Sequence, residues 1–243
     1  MINLLISLGL SAAVTGIFLA LGFAVWASIL PAFFVFVAAN FLLARRIGRK
    51  VQAIAAEAQK ELAAQHFDKG VKTLESAFQY ARWQFFIGAE LHANVGVLYF
   101  SLKKPKEARP HLEKAGPRGA AAARAKTMLA VLQFQEKDIA GMKATFEKAL
   151  LANKKDVLAW AAYGWCLDKQ DLHDEAIAVF VRASEANPTD ERLKNSLTAL
   201  RNKKKLKMRP YGLEWYQLFL EHPPMDLAMG QQNGGRRVVF QRR

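Results

Sequence analysis

Cysteine is almost absent from this sequence, which excludes a fold held by disulfides. Cys166 is the single cysteine, so no disulfide can form within the chain and no zinc site can use cysteine pairs. The five histidines form no HExxH motif, and the glycines form no GxxxxGK[ST] phosphate-binding loop. We therefore predict a protein that is not an enzyme, with no catalytic residue, no metal and no cofactor.

Charged side chains are missing from the first 44 residues. No Asp, Glu, Lys, Arg or His lies between Met1 and Ala44. As one straight helix this segment would be roughly 66 Å long, about twice the thickness of the hydrocarbon core of a bilayer. Two spans in a hairpin fit better, with the turn between Gly22 and Pro31 and the second span from Pro31 to Ala44. A signal peptide is the alternative, but the basic segment that begins one is absent.

Basic side chains are concentrated directly after this segment and at the end of the chain. Their excess over acidic side chains is 4 in 45–60, 2 in 61–190 and 8 in 191–243. Basic residues beside a span mark its cytoplasmic side and can contact anionic lipid. The four that we expect at the membrane are Arg45, Arg46, Arg49 and Lys50. We therefore predict an integral protein of the plasma membrane, or a bacterial inner membrane, with 45–243 in the cytoplasm.

A period of 34 residues runs through the middle of the chain. Three kinds of position recur in register: Ala183, Ala149 and Ala115; Phe180, Phe146 and Leu112; Gly164, Ala130 and Gly96. A period of this length is typical of stacked helix pairs. Each pair leaves an apolar face that only its neighbours can bury, so several units must stack.

These residues resemble the tetratricopeptide repeat pattern W-x2-L-G-x2-Y…A-x3-F…A…P. The unit 157–190 matches it with Trp160, Gly164, Ala176, Phe180, Ala183 and Pro188. Units 89–122 and 123–156 match the pattern less fully. A degenerate unit at about 51–84 is out of register by four residues, which implies that its second helix or the loop after it is longer. The resemblance implies an all-α fold, an α-solenoid of about three to four helix pairs after the transmembrane hairpin.

The chain is thereby divided into four parts. We predict the transmembrane hairpin with its basic flank at 1–50, the repeat solenoid at 51–190, a basic capping helix at 191–209 and a tail at 210–243. The capping helix is indicated by leucines at helical spacing and by lysines at its end.

The resemblance also implies a binding groove, because the first helix of each unit lines the inner face of such a stack. The residues at the groove positions are Val97, Phe100, Val131, Phe134 and Trp165. They are apolar, and we expect them to bind a partner protein or peptide. The Lys/Asn/Arg set with which some relatives bind a C-terminal carboxylate is absent. The alternative is that these side chains pack between helices.

The tail is too apolar for a disordered segment. Its aromatic and aliphatic cluster is Trp215, Tyr216, Phe219 and Leu220. We predict that this cluster docks on the solenoid near Phe134 and Trp165, where it either completes the fold or acts as a latch that a partner displaces. The alternative is that the tail lies on the membrane.

Two functions remain after these exclusions. The first is a non-enzymatic, membrane-anchored scaffold that binds a partner protein or peptide at the cytoplasmic face of the membrane. The second is a basic adaptor that binds anionic lipid or nucleic acid through the Lys/Arg clusters near the end of the chain, with nucleic acid the weaker candidate. Salt dependence separates them, because phosphate contacts weaken steeply with salt.

Overall fold

A computed structural model describes residues 1–85 and 87–224, and every regular element within these ranges is helical. The α-helices are α1 (Ile2–Ala20), α2 (Val25–Ala63), α3 (Phe67–Ser76), α4 (Ile87–Ser101), α5 (Pro105–Glu113), α6 (Ala120–Gln135), α7 (Ile139–Ala152), α8 (Val157–Asp168), α9 (His173–Ala186), α10 (Glu191–Arg201) and α11 (Leu213–Tyr216). Short 3-10 helices lie at Ala77–Tyr80 and Arg209–Tyr211. The prediction of an all-α chain is confirmed over the described residues.

The chain divides into two compact units. The N-terminal unit is Met1–Tyr99 with Lys114–Gly116, and the C-terminal unit is Phe100–Glu113 with the chain from Pro117 onward. The N-terminal unit therefore contains the apolar hairpin and the degenerate repeat. The C-terminal unit contains the later repeats and the described part of the tail, together with the last two residues of α4.

The apolar segment of the N-terminal unit forms an antiparallel pair, α1 and α2. The turn between them lies at 21–24, where Gly22 has a φ of +81°. Ser11 Oγ donates a hydrogen bond to a carbonyl of α2 at 3.0 Å, and Asn40 Nδ2 donates to Ser7 Oγ at 3.3 Å. The two arms are thus paired along their length, as the hairpin prediction requires.

The α2 helix is longer than the sequence suggested, with 39 residues from Val25 to Ala63. The prediction that the second span begins at Pro31 is wrong, because Pro31 lies inside this helix. A proline removes the hydrogen bond to the fourth residue before it, and a helix that has already formed its first turn can carry that loss. The second arm and the first helix of the degenerate repeat are therefore one rod of about 58 Å.

By length and composition, α1 and α2 are both candidate membrane spans. Only 11% of the apolar stretch in each helix is buried within the structure, whereas the core helix of a soluble protein is mostly buried. Large apolar side chains instead face outward along the hairpin, among them Leu21, Trp26, Leu30 and Phe34. An outward-facing apolar surface of this size is typical of a membrane-contact or protein-contact surface.

The degenerate repeat pairs the end of α2 with α3. Gly70 brings the two helices together, since a Cβ added there would lie 2.8 Å from Leu62 Cγ. Ala58, Leu74 and Val95 form a small buried core beside this contact. The α3 helix ends at Ser76, so the extra residues of this unit lie in the following 3-10 helix and loop, which was one of the two predicted places.

The C-terminal unit contains two complete helix pairs, α6 with α7 and α8 with α9. Asp138 caps the N-terminus of α7, and Asp156 caps the N-terminus of α8. Their carboxylates accept hydrogen bonds from the N–H groups of Gly141 and Ala159. Successive units are joined by ring stacking of Phe146 on Tyr163, with ring centroids 4.9 Å apart. Two ion pairs, Lys143–Glu175 and Arg182–Glu147, link the second helices α7 and α9.

The capping helix is shorter than predicted, because α10 ends at Arg201 rather than reaching 209. Lys203 has a φ of +53°, and the N–H groups of Lys203 and Lys204 donate to the carbonyls of Leu200 and Ala199. This pair of bonds satisfies the last carbonyls of the helix and turns the chain away from its axis. Residues 202–208 are therefore irregular, and they lead into the tail.

Candidate partner-binding site

The four predicted groove residues that lie in the C-terminal unit do not form an open apolar surface. Phe100 and Trp165 are 3% and 6% exposed, and Phe134 is half-buried. Val131 is 0% exposed, so its assignment to an open groove is wrong and its side chain serves packing instead. Val97 is half-buried and belongs to the N-terminal unit.

The described part of the tail packs on the repeats of the C-terminal unit. Trp215 is 0% exposed, and Leu218 and Tyr211 are buried with it. The α11 helix that carries Trp215 lies against α8. Gly212 precedes α11 with a φ of +74°, a conformation that favours glycine. Tail residues beyond 224 lie outside the described part of the chain.

An aromatic row joins the repeats to the tail. The Trp165 ring lies between Phe134 and Trp215, with centroid distances of 5.8 and 5.7 Å and edge-to-face geometry in both pairs. Tyr211 continues the row, 6.3 Å from Trp215. Edge-to-face pairs of this kind add about 0.5–1.5 kcal/mol each beyond the burial of their area.

A carboxylate connects the two tryptophans at the centre of this row. Trp165 Nε1 donates to Glu221 Oε1, and Trp215 Nε1 donates to Glu221 Oε2, both at 3.0 Å. A buried indole N–H needs an acceptor, and here one carboxylate serves two. Glu221 therefore connects this part of the tail to α8 and to α11.

Tyr211 is anchored to the capping helix. Its hydroxyl lies 3.0 Å from Ser196 Oγ, and the Arg192 guanidinium lies 5.5 Å from the centre of its ring. Burial raises the pKa of Tyr211 to about 12, so the phenol stays neutral. The capping helix thus holds the chain just before it reaches α8.

Phe219 contacts the end of α4 within the same unit. Its ring centroid lies 5.5 Å from that of Phe100, and Lys103 Nζ lies 5.2 Å from the same Phe219 centroid. Phe219 has a φ of +55°, which is uncommon for a bulky residue and costs on the order of 1 kcal/mol or more. The contacts with Phe100 and Lys103 accompany this backbone conformation.

A cleft of about 760 Å³ remains between the tail and the repeats of the C-terminal unit. Its apolar walls come from Phe100, Leu132, Leu213, Tyr216, Phe219 and Leu220. Its polar lining includes Lys103, Gln135, Gln217 and His222. The predicted tail residues Tyr216 and Leu220 are half-buried here, so they form a wall of this cleft.

The predicted membrane-contact residues lie on α2, just after its apolar stretch. Arg45, Arg46, Arg49 and Lys50 are all exposed. Lys50 Nζ lies 5.8 Å from the ring centre of Tyr80. Among the described residues, no group of three or more His, Cys, Asp and Glu is arranged to hold a metal ion.

Sequence reasoning named Trp215 but missed Tyr211, Leu218, Glu221 and Lys103. Tyr211 and Leu218 lie at i−4 and i+3 from Trp215, which is helical spacing, and that signal could have identified the buried side of the tail. Glu221 and Lys103 carry no such signal, because their partners come from distant parts of the sequence.

Two family models match the chain, and both describe the tetratricopeptide repeat. One matches residues 89–115, which hold α5 and most of α4. The other matches residues 133–200, which hold α7 to α9 and nearly all of α10. No curated protein matches the chain. The apolar hairpin and the tail lie outside both matched segments.

Proposed function

We propose, from the chain's membership of the tetratricopeptide repeat family, that it is a membrane-anchored scaffold that binds a partner protein or peptide and catalyses no reaction itself. Repeats of this family are protein-interaction modules. The observation that carries the proposal is the cleft of about 760 Å³ in the C-terminal unit, because apolar side chains line accessible space there.

The anchor is the hairpin of α1 and α2. It is supported by the length of the two helices, by the absence of charged residues from 1–44 and by the small buried share of the apolar stretch in each helix. The basic flank that begins at Arg45 supports an orientation with both termini and all repeats in the cytoplasm. Protease added to sealed, right-side-out cells should then leave 45–224 intact, and digestion of that range would contradict the orientation.

The proposed binding mode leaves the tail in place. Trp215 is 0% exposed, and exposing one tryptophan costs roughly 4–6 kcal/mol at about 25 cal/mol per Å² over 150–250 Å². A partner that displaced the tail would have to supply this energy before gaining any affinity. We therefore favour a tail that completes the fold and forms one wall of the partner site.

The partner segment that fits this cleft is apolar with a polar edge. Phe100, Phe219 and Leu220 offer aromatic and aliphatic contact, and Lys103 and Gln217 can bond to a backbone or to a carboxylate. A short peptide with one or two large apolar side chains matches this lining.

A photocrosslinking experiment in native membranes tests the site. A photoreactive phenylalanine at Gln217, which lines the cleft, should capture a discrete partner. The same probe at Leu151, which is 72% exposed on α7, is the control. Gln135→Trp should fill the cleft and abolish capture at Gln217. Equal capture at both positions, or capture that survives Gln135→Trp, would refute the cleft as the partner site.

A basic adaptor is the second candidate, favoured by a cluster of lysines after α10. Lys203, Lys204, Lys205 and Lys207 are exposed. The arginines at 236, 237, 242 and 243 belong to the same prediction but lie outside the described residues. Partner binding through this cluster should fall steeply between low and moderate salt, whereas binding in the apolar cleft should change little.

A further inference from the structure

The start of α1 is hydrogen-bonded to the loop at 81–85, which follows the degenerate repeat within the N-terminal unit. The N–H of Ile2 donates to the carbonyl of Arg82, and the N–H of Asn3 donates to the carbonyl of Trp83, both at 3.1 Å. The first N–H groups of a helix have no partner inside it. Here the loop supplies those partners, so its backbone lies directly against the first turn of α1.

The position of the 81–85 loop relative to the bilayer follows from the length of α1. The 19 residues of α1 rise about 28 Å, close to the roughly 30 Å of a hydrocarbon core. If α1 spans the bilayer, as the proposed function holds, Ile2 lies at its surface. Atoms within hydrogen-bonding distance of Ile2 and Asn3 lie at that same depth.

A second contact gives the same depth independently. The antiparallel α2 returns to this face of the membrane, where its basic flank emerges. Lys50 of that flank lies 5.8 Å from the ring centre of Tyr80, the residue just before the loop. The loop is therefore level with the start of one span and with the basic end of the other.

The side chains of the loop suit a membrane surface. Phe85 is 49% exposed, Arg82 is exposed and Trp83 is half-buried. Tryptophan is enriched where headgroups meet acyl chains, because its ring is apolar and its N–H is polar. Arginine pairs with phosphate through two parallel N–H groups.

We infer that the 81–85 loop is a second membrane-contact site, in which Arg82 binds the phosphate of anionic phospholipids while Trp83 and Phe85 lie at the boundary of the acyl chains. This inference rests on the proposed insertion of the hairpin. It gives the first repeat a function beyond stacking, because its loop holds that repeat against the bilayer.

Two exposed phenylalanines of the same unit allow a matched test. Phe85 is 49% exposed in the loop, and Phe67 is 45% exposed at the far end of α3. Each is replaced by cysteine in the full-length protein, labelled with an environment-sensitive fluorophore and reconstituted in vesicles of phosphatidylcholine and phosphatidylglycerol. Cys166 is buried, and mock labelling of the parent protein checks that it does not react. Gln84→Cys replaces Phe85→Cys if the latter does not fold.

We expect lipids brominated near the headgroup to quench the probe at 85 severalfold more than the probe at 67. Aqueous iodide should quench the probe at 67 more than the probe at 85. Equal quenching by lipid, or a probe at 85 that neither agent reaches because another protein surface covers it, would overturn the inference. An alkaline carbonate wash precedes the test: release of the protein there overturns the proposed anchor as well, whereas retention keeps the two outcomes distinct.

The role of Arg82 has its own test. In pure phosphatidylcholine, lipid quenching at 85 should fall relative to vesicles that contain phosphatidylglycerol. Arg82→Gln should remove that difference between the two lipid mixtures. Lys72→Gln, at an exposed position on α3, should keep it. A lipid-charge difference that survives Arg82→Gln, or that Lys72→Gln removes equally, would show that the arginine does not bind the phosphate.

Discussion

Replacing Gly164 by alanine should destabilise the C-terminal unit, although alanine is the better helix former. Gly164 of α8 faces Phe180 of α9. An added Cβ would lie 2.7 Å from Phe180 Cδ2 and closer still to Cε2. Ordinary carbon–carbon contacts lie at about 3.5–4.0 Å, so the ring would have to move by about 1 Å. Phe180 is 0% exposed, which leaves it no solvent to move into.

The sign of the effect follows from two opposing magnitudes. Glycine to alanine in a helix interior stabilises by about 1 kcal/mol through propensity. Overpacking a closely packed core typically costs about 1–3 kcal/mol. Because the methyl group meets a fully buried aromatic ring rather than a flexible side chain, we expect the upper part of that range and a net loss of about 1–2 kcal/mol.

The buried thiol two residues away provides the assay. Burial raises the pKa of Cys166 and hides its sulfur, so alkylation requires α8 to open. The rate of Cys166 alkylation against urea, measured on the full chain in nanodiscs, should shift to lower urea in Gly164→Ala. Adding Phe180→Leu should make the glycine substitution less harmful than it is alone, since the smaller side chain leaves space for the methyl group.

Gly48 provides the matched control, because it lies inside α2 and an added Cβ there would meet nothing within 4 Å. Gly48→Ala should leave the alkylation curve of Cys166 unchanged. If Gly164→Ala also unfolds at the parent urea concentration or above it, the contact between Gly164 and Phe180 does not hold α8 to α9, and our account of how the repeats pack is wrong.

Three further predictions concern the tail and the capping helix. Trp215→Ala should cost about 3–5 kcal/mol in chemical unfolding, because it removes a fully buried ring; a loss below 1 kcal/mol would mean that the tail is a latch. Glu221→Gln should cost about 1–3 kcal/mol, since an amide has one acceptor oxygen for two buried indole N–H groups; unchanged tryptophan-monitored unfolding would contradict this. The hydrogen bond from Arg192 lowers the pKa of Asp190, so its stabilisation is complete above the ordinary pKa of about 4 and disappears as pH falls through the lowered value. Asp190→Asn should therefore flatten the acid side of the stability profile, and an unchanged acid limb would rule out this contribution.

The repeat could be predicted from sequence because its contacts recur at a fixed spacing. Gly164 and Phe180 lie in one unit, and the small and large residues 34 positions earlier repeat their roles. Element ends were less predictable. Pro31 is a favoured first residue of a helix but not an obligatory one, so α2 began earlier. The lysines after Arg201 favour a helix end in general, but they do not determine the residue at which α10 ends.

The exposure of the groove could not be predicted in the same way. Whether Phe100 and Trp165 face a partner or the chain itself depends on where Phe219 and Trp215 pack, more than 45 residues later in the sequence. Local pattern carries no information on such a contact. It identified the apolar cluster of the tail, but not the carboxylate of Glu221 that bonds both tryptophans.

The hairpin and the first repeat of the N-terminal unit are more than neighbours in sequence. The 39-residue α2 helix is both the second arm of the hairpin and the first helix of that repeat, with no break at the basic flank. A continuous helix fixes the tilt of the repeat relative to the second arm of the hairpin, but a helix alone would leave the end of the repeat that follows α3 free to bend away. The bonds from Ile2 and Asn3 to the 81–85 loop act at that end of the repeat. Two separate connections therefore hold the first repeat to the hairpin, one through the continuous α2 helix and one through backbone hydrogen bonds, so a bend in α2 alone would not separate the two parts.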